Sequence, residues 1–184
     1  CDVGQVEVRR GPQGTRFGAN ALAGLSQVRT RDPQPVAERG VEASLGGDAF
    51  RSLGATAGGA LGDVGSAWRL AVQQASSDGF RRNAYLGRSD TNGRDELTAR
   101  AKIHLAPGEG LSLDLALLHL DLDNGYDAFA IDNTYRTLAD RPGRDAQRTS
   151  GASVDLRWDR GARQWRSLTT LADSSIESSF DGDW

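Results

Sequence analysis

Methionine is absent from the 184 residues and the chain opens on Cys1, so an internal fragment of a longer protein is expected. A single cysteine excludes an internal disulfide, and neither of the two histidines stands near it at zinc-ligand spacing. The alternative for Cys1, a lipidated mature terminus, is set aside in favour of an arbitrary cut. Long apolar runs are missing too. The longest, such as Leu115 to Leu118, fall far short of the roughly 20 residues a membrane helix needs. No basic segment followed by an apolar stretch marks a signal peptide at the start. Positive charge is not concentrated: 22 Lys and Arg against 25 Asp and Glu leave a net charge of -3, with arginine spread along the chain. Without a basic stripe, nucleic acid is excluded as a partner. Gly-x-Ser-x-Gly and His-Glu-x-x-His are both missing, so no enzyme activity and no catalytic residue is expected.

What is present is polar. Charged residues make up 26% and apolar residues 38%, with 23 glycines. Two chain types fit, a disordered segment and a β-barrel wall in which every second residue faces a wet lumen. Periodicity decides. From Glu96 to Ala106, Leu97, Ala99, Ala101, Ile103 and Leu105 fall on one face of a strand, with Thr98, Arg100, Lys102 and His104 on the other. A helix would scatter those charges around its circumference. The same alternation runs through Gly40–Leu45, through Leu53, Ala55, Ala57, Gly59 and Leu61, and through Ser66–Ser76 with Trp68, Leu70 and Val72 on one side. Leu111–Asp123 starts on odd leucines and continues on Leu118, Leu120 and Leu122, a slip that predicts a bulge. Val154, Leu156 and Trp158 mark another strand, and Gln164–Ser175 a last one of unsettled phase.

The predicted turns Gly62–Gly65, Pro107–Gly110 and Asp159–Ala162 are short, whereas Ser77–Asp95 and Asn124–Thr149 are long. Short turns on one rim and long loops on the other are the plan of an outer-membrane barrel. Asp32, Pro33, Gln34 and Pro35 read as a linker, because proline removes ladder donors and restricts the residue before it. The expected organisation is therefore residues 1–32, a linker at 33–36, and a strand-rich unit at 37–184. In the first unit Val6–Val8 and Leu25–Thr30 read as strands around a tight loop, Gly11–Gly18.

The run from Val6 to Thr30, VEVRRGPQGTRFGANALAGLSQVRT, resembles the end of the plug domain of TonB-dependent outer-membrane receptors. Arg10, Gly11, Pro12, Gln13, Gly14, Phe17, Gly18, Asn20, Ala21 and Gly24 match the family pattern. Arg9 stands where the family usually has an apolar residue, and Ser26-Gln27 where it has an apolar residue and Asn. A phosphate cradle is the competing reading of these glycines, but the Gly-Lys-Ser/Thr ending is missing. Phe180–Trp184 is similar to a strand end common in the family, and Asp123–Asn133 to an outward loop of some members.

The resemblance implies an all-β fold, a partial antiparallel transmembrane β-barrel wall of about seven strands preceded by the end of a plug. It implies active uptake of a scarce ligand across the outer membrane of a Gram-negative cell. An iron–siderophore complex is the commonest cargo, with cobalamin, haem or a glycan as alternatives. Expected partners are the TonB energy-transducing complex, through a segment outside this chain, the outer-membrane lipid and the small-molecule ligand. Arg10, Gly11, Pro12, Gln13, Gly14, Phe17 and Gly18 are expected to act in plug structure and gating, and Tyr126, Asp127, Phe129 and Asn133 as outward-loop ligand contacts. No cofactor or metal is expected. Asp121, Asp123, Asn124 and Asp127 lack calcium-loop spacing, and His104 and His119 read as lumen or rim residues. A passive porin and a secreted β-rich adhesion module are the other function classes compatible with strand alternation.

Overall fold

An extended strand points its backbone N–H and C=O groups to both sides and its side chains above and below, so segments joined by short turns pair with their neighbours in sequence. The computed structural model describes residues 2–19, 21–62, 65–130 and 132–182, with the side chain of residue 16 also left out. Cys1, Asn20 and Trp184, named above, lie outside them, as does Ile131 within the Asp123–Asn133 stretch. The chain divides into two units, Cys1–Asp32 and Pro33–Trp184.

In the first unit β1 (Val3–Arg10) pairs antiparallel with β2 (Gly24–Thr30). Between them the predicted loop Gly11–Gly18 contains one helical turn, α1 (Gly14–Phe17). The second unit is a meander of seven antiparallel strands. Its members are β3 (Glu38–Leu45), β4 (Arg51–Ala60), β5 (Ala67–Ser77), β8 (Arg94–Gly108), β9 (Leu111–Tyr126), β11 (Gly143–Arg160) and β12 (Arg163–Ser178). The remaining strands, β6 (Arg81–Asn83), β7 (Arg88–Thr91) and β10 (Arg136–Thr137), form a separate three-stranded sheet.

Strand β9 runs in unbroken register against β11 from Leu111 to Tyr126, and against β8 from Leu113 to Leu122. The predicted bulge is therefore not there, and the irregularity lies at Leu105/Gly108 of β8 instead. With no bulge, period two must hold. Leu113, Leu115 and Leu117 share a face with His119 and Asp121, while Leu118, Leu120 and Leu122 join Asp114 on the other. The unsettled phase of β12 has a similar cause, for Trp165 and Leu171 share their face with Ser167 and Thr169, and Leu168 and Ile176 lie opposite.

Following the pairing across the sheet shows one apolar face whose boundary runs diagonally. One row passes from Arg39 through Ala57, Leu70, Ala101, Leu117 and Ala152 to Leu171, polar at its start and apolar at its end. Nearer the long-loop end, the row from Ala43 through Leu53, Gln74, Leu97 and Asp121 to Arg148 and Ser175 is apolar at its start and polar at its end. Such drift is what tilted strands produce. At a tilt of about 40° neighbouring strands, about 4.8 Å apart, are offset by about 4 Å, a little over one residue each. At the short-turn end of this face stand Trp68, Trp158 and Trp165, the last two directly paired.

The opposite face is polar and internally bonded. Arg69 on β5 is aligned with Gly58 on β4, which is aligned with Glu38 on β3. Glycine has no side chain there, so the guanidinium crosses β4 and meets Glu38 at 2.7 Å. Further along, His104 bonds Asp114 at 2.6 Å and Arg166 bonds Asp155 at 2.8 Å.

Candidate functional site

The first predicted long loop stands between β5 and β8 much as expected, whereas the second is shorter, because β9 and β11 extend well into 124–149. The two fold together. Strand β6 from the first loop pairs in parallel with β10 from the second, Arg82 opposite Arg136 and Asn83 opposite Thr137, and β7 completes the sheet. The small sheet is tied at its centre by Asp127, which is 2% exposed. Its Oδ2 accepts hydrogen bonds from Thr137 Oγ1 at 2.7 Å and Asn83 Nδ2 at 3.2 Å, and Asn83 also donates to the carbonyl of Ala139 at 2.8 Å. A buried carboxylate is tolerable because these donors replace water. Asp127 thus faces the inside of the loop module, not its surface.

Aromatic contacts hold the edges. Tyr126 and Phe129 pack edge to face at 5.9 Å, and Phe129 packs on Phe180 at 5.6 Å. The Arg81 guanidinium lies 5.4 Å from the Phe80 ring and 5.8 Å from Tyr135, and donates to the carbonyl of Thr134 at 2.8 Å. The contacts of Arg81 with Tyr135 and Thr134 join the two loops. Phe80, Tyr85, Phe129 and Tyr135 remain 40% or more exposed. Asn133 is exposed at positive φ, its amide bonded to Ala130. The loop module also has a concavity of about 620 Å³ bordered by Arg82, Asn83, Arg88, Ser89 and Arg136. Sequence reasoning missed it, for these arginines are ordinary loop residues until β6 and β10 meet. At one rim of the module the Thr134 hydroxyl and amide hold the Asp132 carboxyl below its usual range. Among the described residues no cluster of three or more His, Cys, Asp or Glu side chains is placed to hold a metal.

In the first unit the motif residues make one compact turn. Gly11 at φ +87 donates to Ala23, Gln13 to Ala21, and Gly18 at φ +92 to Gly14. These positive angles favour glycine. At Gly24 a Cβ would come within 2.7 Å of the Arg9 carbonyl, so close pairing of β1 and β2 excludes a side chain there. Pro12 introduces the turn, and Phe17 carries the Arg9 guanidinium 5.5 Å from its ring centroid. Arg9 also pairs with Glu7 at 2.9 Å, so it is anchored inside the unit, not loose in water. Arg10 is exposed, with no bond to a side chain among the described residues.

No family model matches the chain. It is 27% identical over 128 residues to the vitamin B12 transporter BtuB of Photobacterium profundum, an alignment covering 68% of this chain and 20% of that protein. The ferric yersiniabactin uptake receptor FyuA from Yersinia pestis superposes with a TM-score of 0.86 at 17% identity, covering 98% of this chain and 30% of the receptor. The chain thus spans about a fifth of one relative and under a third of the other. The seven-stranded sheet is a partial barrel wall of the kind these receptors have. A transporter and an uptake receptor, neither is an enzyme.

Proposed function

From the TonB-dependent receptor family, which both comparisons support, we infer that this chain forms the end of a plug and the first wall of the barrel in an outer-membrane uptake receptor. Residues 1–32 are the plug end, 33–36 the linker and 37–184 the barrel wall. The observation that carries the reading is the diagonal apolar band bordered by Trp68, Trp158 and Trp165. A tilted barrel wall with an aromatic belt at the membrane boundary has this form, and a soluble sheet has no use for one.

The band faces lipid, and the face carrying Arg69, His104, Asp114 and Asp155 faces the lumen. Strands of 15 to 18 residues, β8, β9, β11 and β12, exceed the about 9 to 11 needed to cross. Their charged continuation, with Asp121 on Arg148 at 2.9 Å and Arg144 between Asp123 and Glu177 at 2.8 Å, projects outside. The loop module therefore stands on the cell surface, where Tyr126, Phe129 and Asn133 serve the ligand and Asp127 positions them. Arg10 to Gly18 belong to the gating plug, coupled through a segment outside this chain to the TonB complex.

The cargo is a scarce small molecule, an iron–siderophore complex first of all. Cobalamin is the second reading, favoured by the sequence likeness to a vitamin B12 transporter. Energised uptake of labelled ferric siderophores and of cobalamin by cells with and without the gene tests both. Unchanged uptake of every cargo in the deletion strain, with the protein absent from outer-membrane fractions of the parent, defeats the reading.

A further inference from the structure

The loop concavity has a feature that folding alone does not account for. Arg82 and Arg136 stand directly opposite each other on paired strands, an arrangement that is unfavourable for like charges. No side-chain hydrogen bond or ion pair holds either guanidinium among the described residues, the Asp132 carboxylate acting on Arg136 only through its charge. Arg88, bordering the same space, is held by Asp90 at 2.9 Å. That pairing fixes its direction and leaves most of its five donors free. Ser89 adds a hydroxyl, and the backbone of Gly87 lets a ligand approach without a side chain in the way. Three planar donor forks around one opening of about 620 Å³ match the geometry by which arginine binds carboxylate or phosphate oxygens two at a time.

We propose that this concavity binds a small molecule bearing several anionic oxygens, with Arg82 and Arg136 as the principal donors and Arg88 as an oriented third. Bound anion would also relieve the repulsion across the β6–β10 pair. Its assignment to the transported cargo rests on the outward orientation inferred above, whereas anion binding itself does not.

The test is calorimetric titration of the purified intact receptor with citrate and, separately, pyrophosphate, which distinguishes carboxylate from phosphate oxygens. Saturable binding of at least one is expected. Its affinity falls about tenfold in Arg136→Gln and about a hundredfold in the Arg82→Gln/Arg136→Gln pair, the scale of one charge-assisted bond each. Arg163→Gln, at a distant short turn, leaves it unchanged. Should the paired glutamine variant fail to fold, Arg82→Lys/Arg136→Lys keeps the charge without the fork and still weakens binding. No saturable binding of either anion to the native receptor, or equal affinity in the paired variants, overturns the proposal. Labelling of Tyr85→Cys in intact cells with an impermeant maleimide reports orientation independently. Binding without labelling refutes the outward reading and keeps the anion site.

Discussion

Ala101 is the middle residue of the apolar series Leu105 to Leu97 on β8 and lies between Leu70 and Leu117 on the same face. Replacing it with arginine puts a guanidinium at the bilayer midplane, a change that costs about 2 to 4 kcal/mol. That is a shift of about 30- to 900-fold in the unfolding equilibrium. Leu97 lies four residues towards the long loops. At about 3.4 Å per residue and a tilt of about 40°, it is about 10 Å higher, close to the edge of a band about 25 Å tall. Leu97→Arg should therefore cost only about 0 to 1 kcal/mol in membrane terms. Lys102→Ala, on the polar face opposite Arg69 and Ala116, removes at most a partly exposed charged contact worth under about 1 kcal/mol. The assay is reversible denaturant unfolding of the intact receptor in liposomes. Ala101→Arg is expected to cost the most, with Leu97→Arg and Lys102→Ala each small beside it. Equal costs at positions 101 and 102 would mean the face assignment is wrong, and equal costs at 101 and 97 that the band does not slant with a tilted strand.

Asp127→Ala strips Asn83 and Thr137 of their common buried acceptor, at about 1 to 3 kcal/mol. It should raise hydrogen exchange throughout 78–93 and 127–142 while β9 stays protected, and an unchanged loop would show that the module is held otherwise. In the intact receptor Arg10→Ala should loosen the plug if, as the family resemblance implies, its guanidinium meets carboxylates of the inner barrel wall outside this chain, since removing one member of a buried pair costs about 3 to 5 kcal/mol. Arg9→Ala should cost only the local Glu7 and Phe17 contacts, and the reverse order of protease sensitivity would move the motif alignment by one residue. The Asp132 carboxyl, held low by Thr134, stabilises its turn above the ordinary carboxylate range. That contribution disappears as pH falls through the lowered value, so protection of the Thr134 amide should hold to about pH 4 and decline beneath it. Protection independent of pH down to about 2 would refute the role of the ionised carboxylate.

Most of the strands were legible because a half-buried strand must alternate. Leu97 to Leu105 and Trp68 to Val72 carry that alternation openly, and the glycines of the 11–24 turn announce backbone conformations that few other residues adopt. Where composition on one face was mixed the signal failed. Leu117 followed by Leu118 imitates a bulge, and Leu168 and Ile176 among serines and threonines hide the phase of β12. Pairing settles both, because each strand's register is held by its neighbours and a slip would break a ladder of hydrogen bonds.

What residue order alone determined, then, is local: strand period, turn positions, the Arg-Gly-Pro turn and the absence of a helix able to span a membrane. What only the tertiary structure decided is everything that depends on which strand lies beside which. The diagonal of the apolar band, the reach of Arg69 over Gly58 to Glu38, the burial of Asp127 and the meeting of Arg82 with Arg136 all join residues between 10 and 54 positions apart. Such encounters are set by hydrogen-bond register and loop docking, and no local periodicity encodes them.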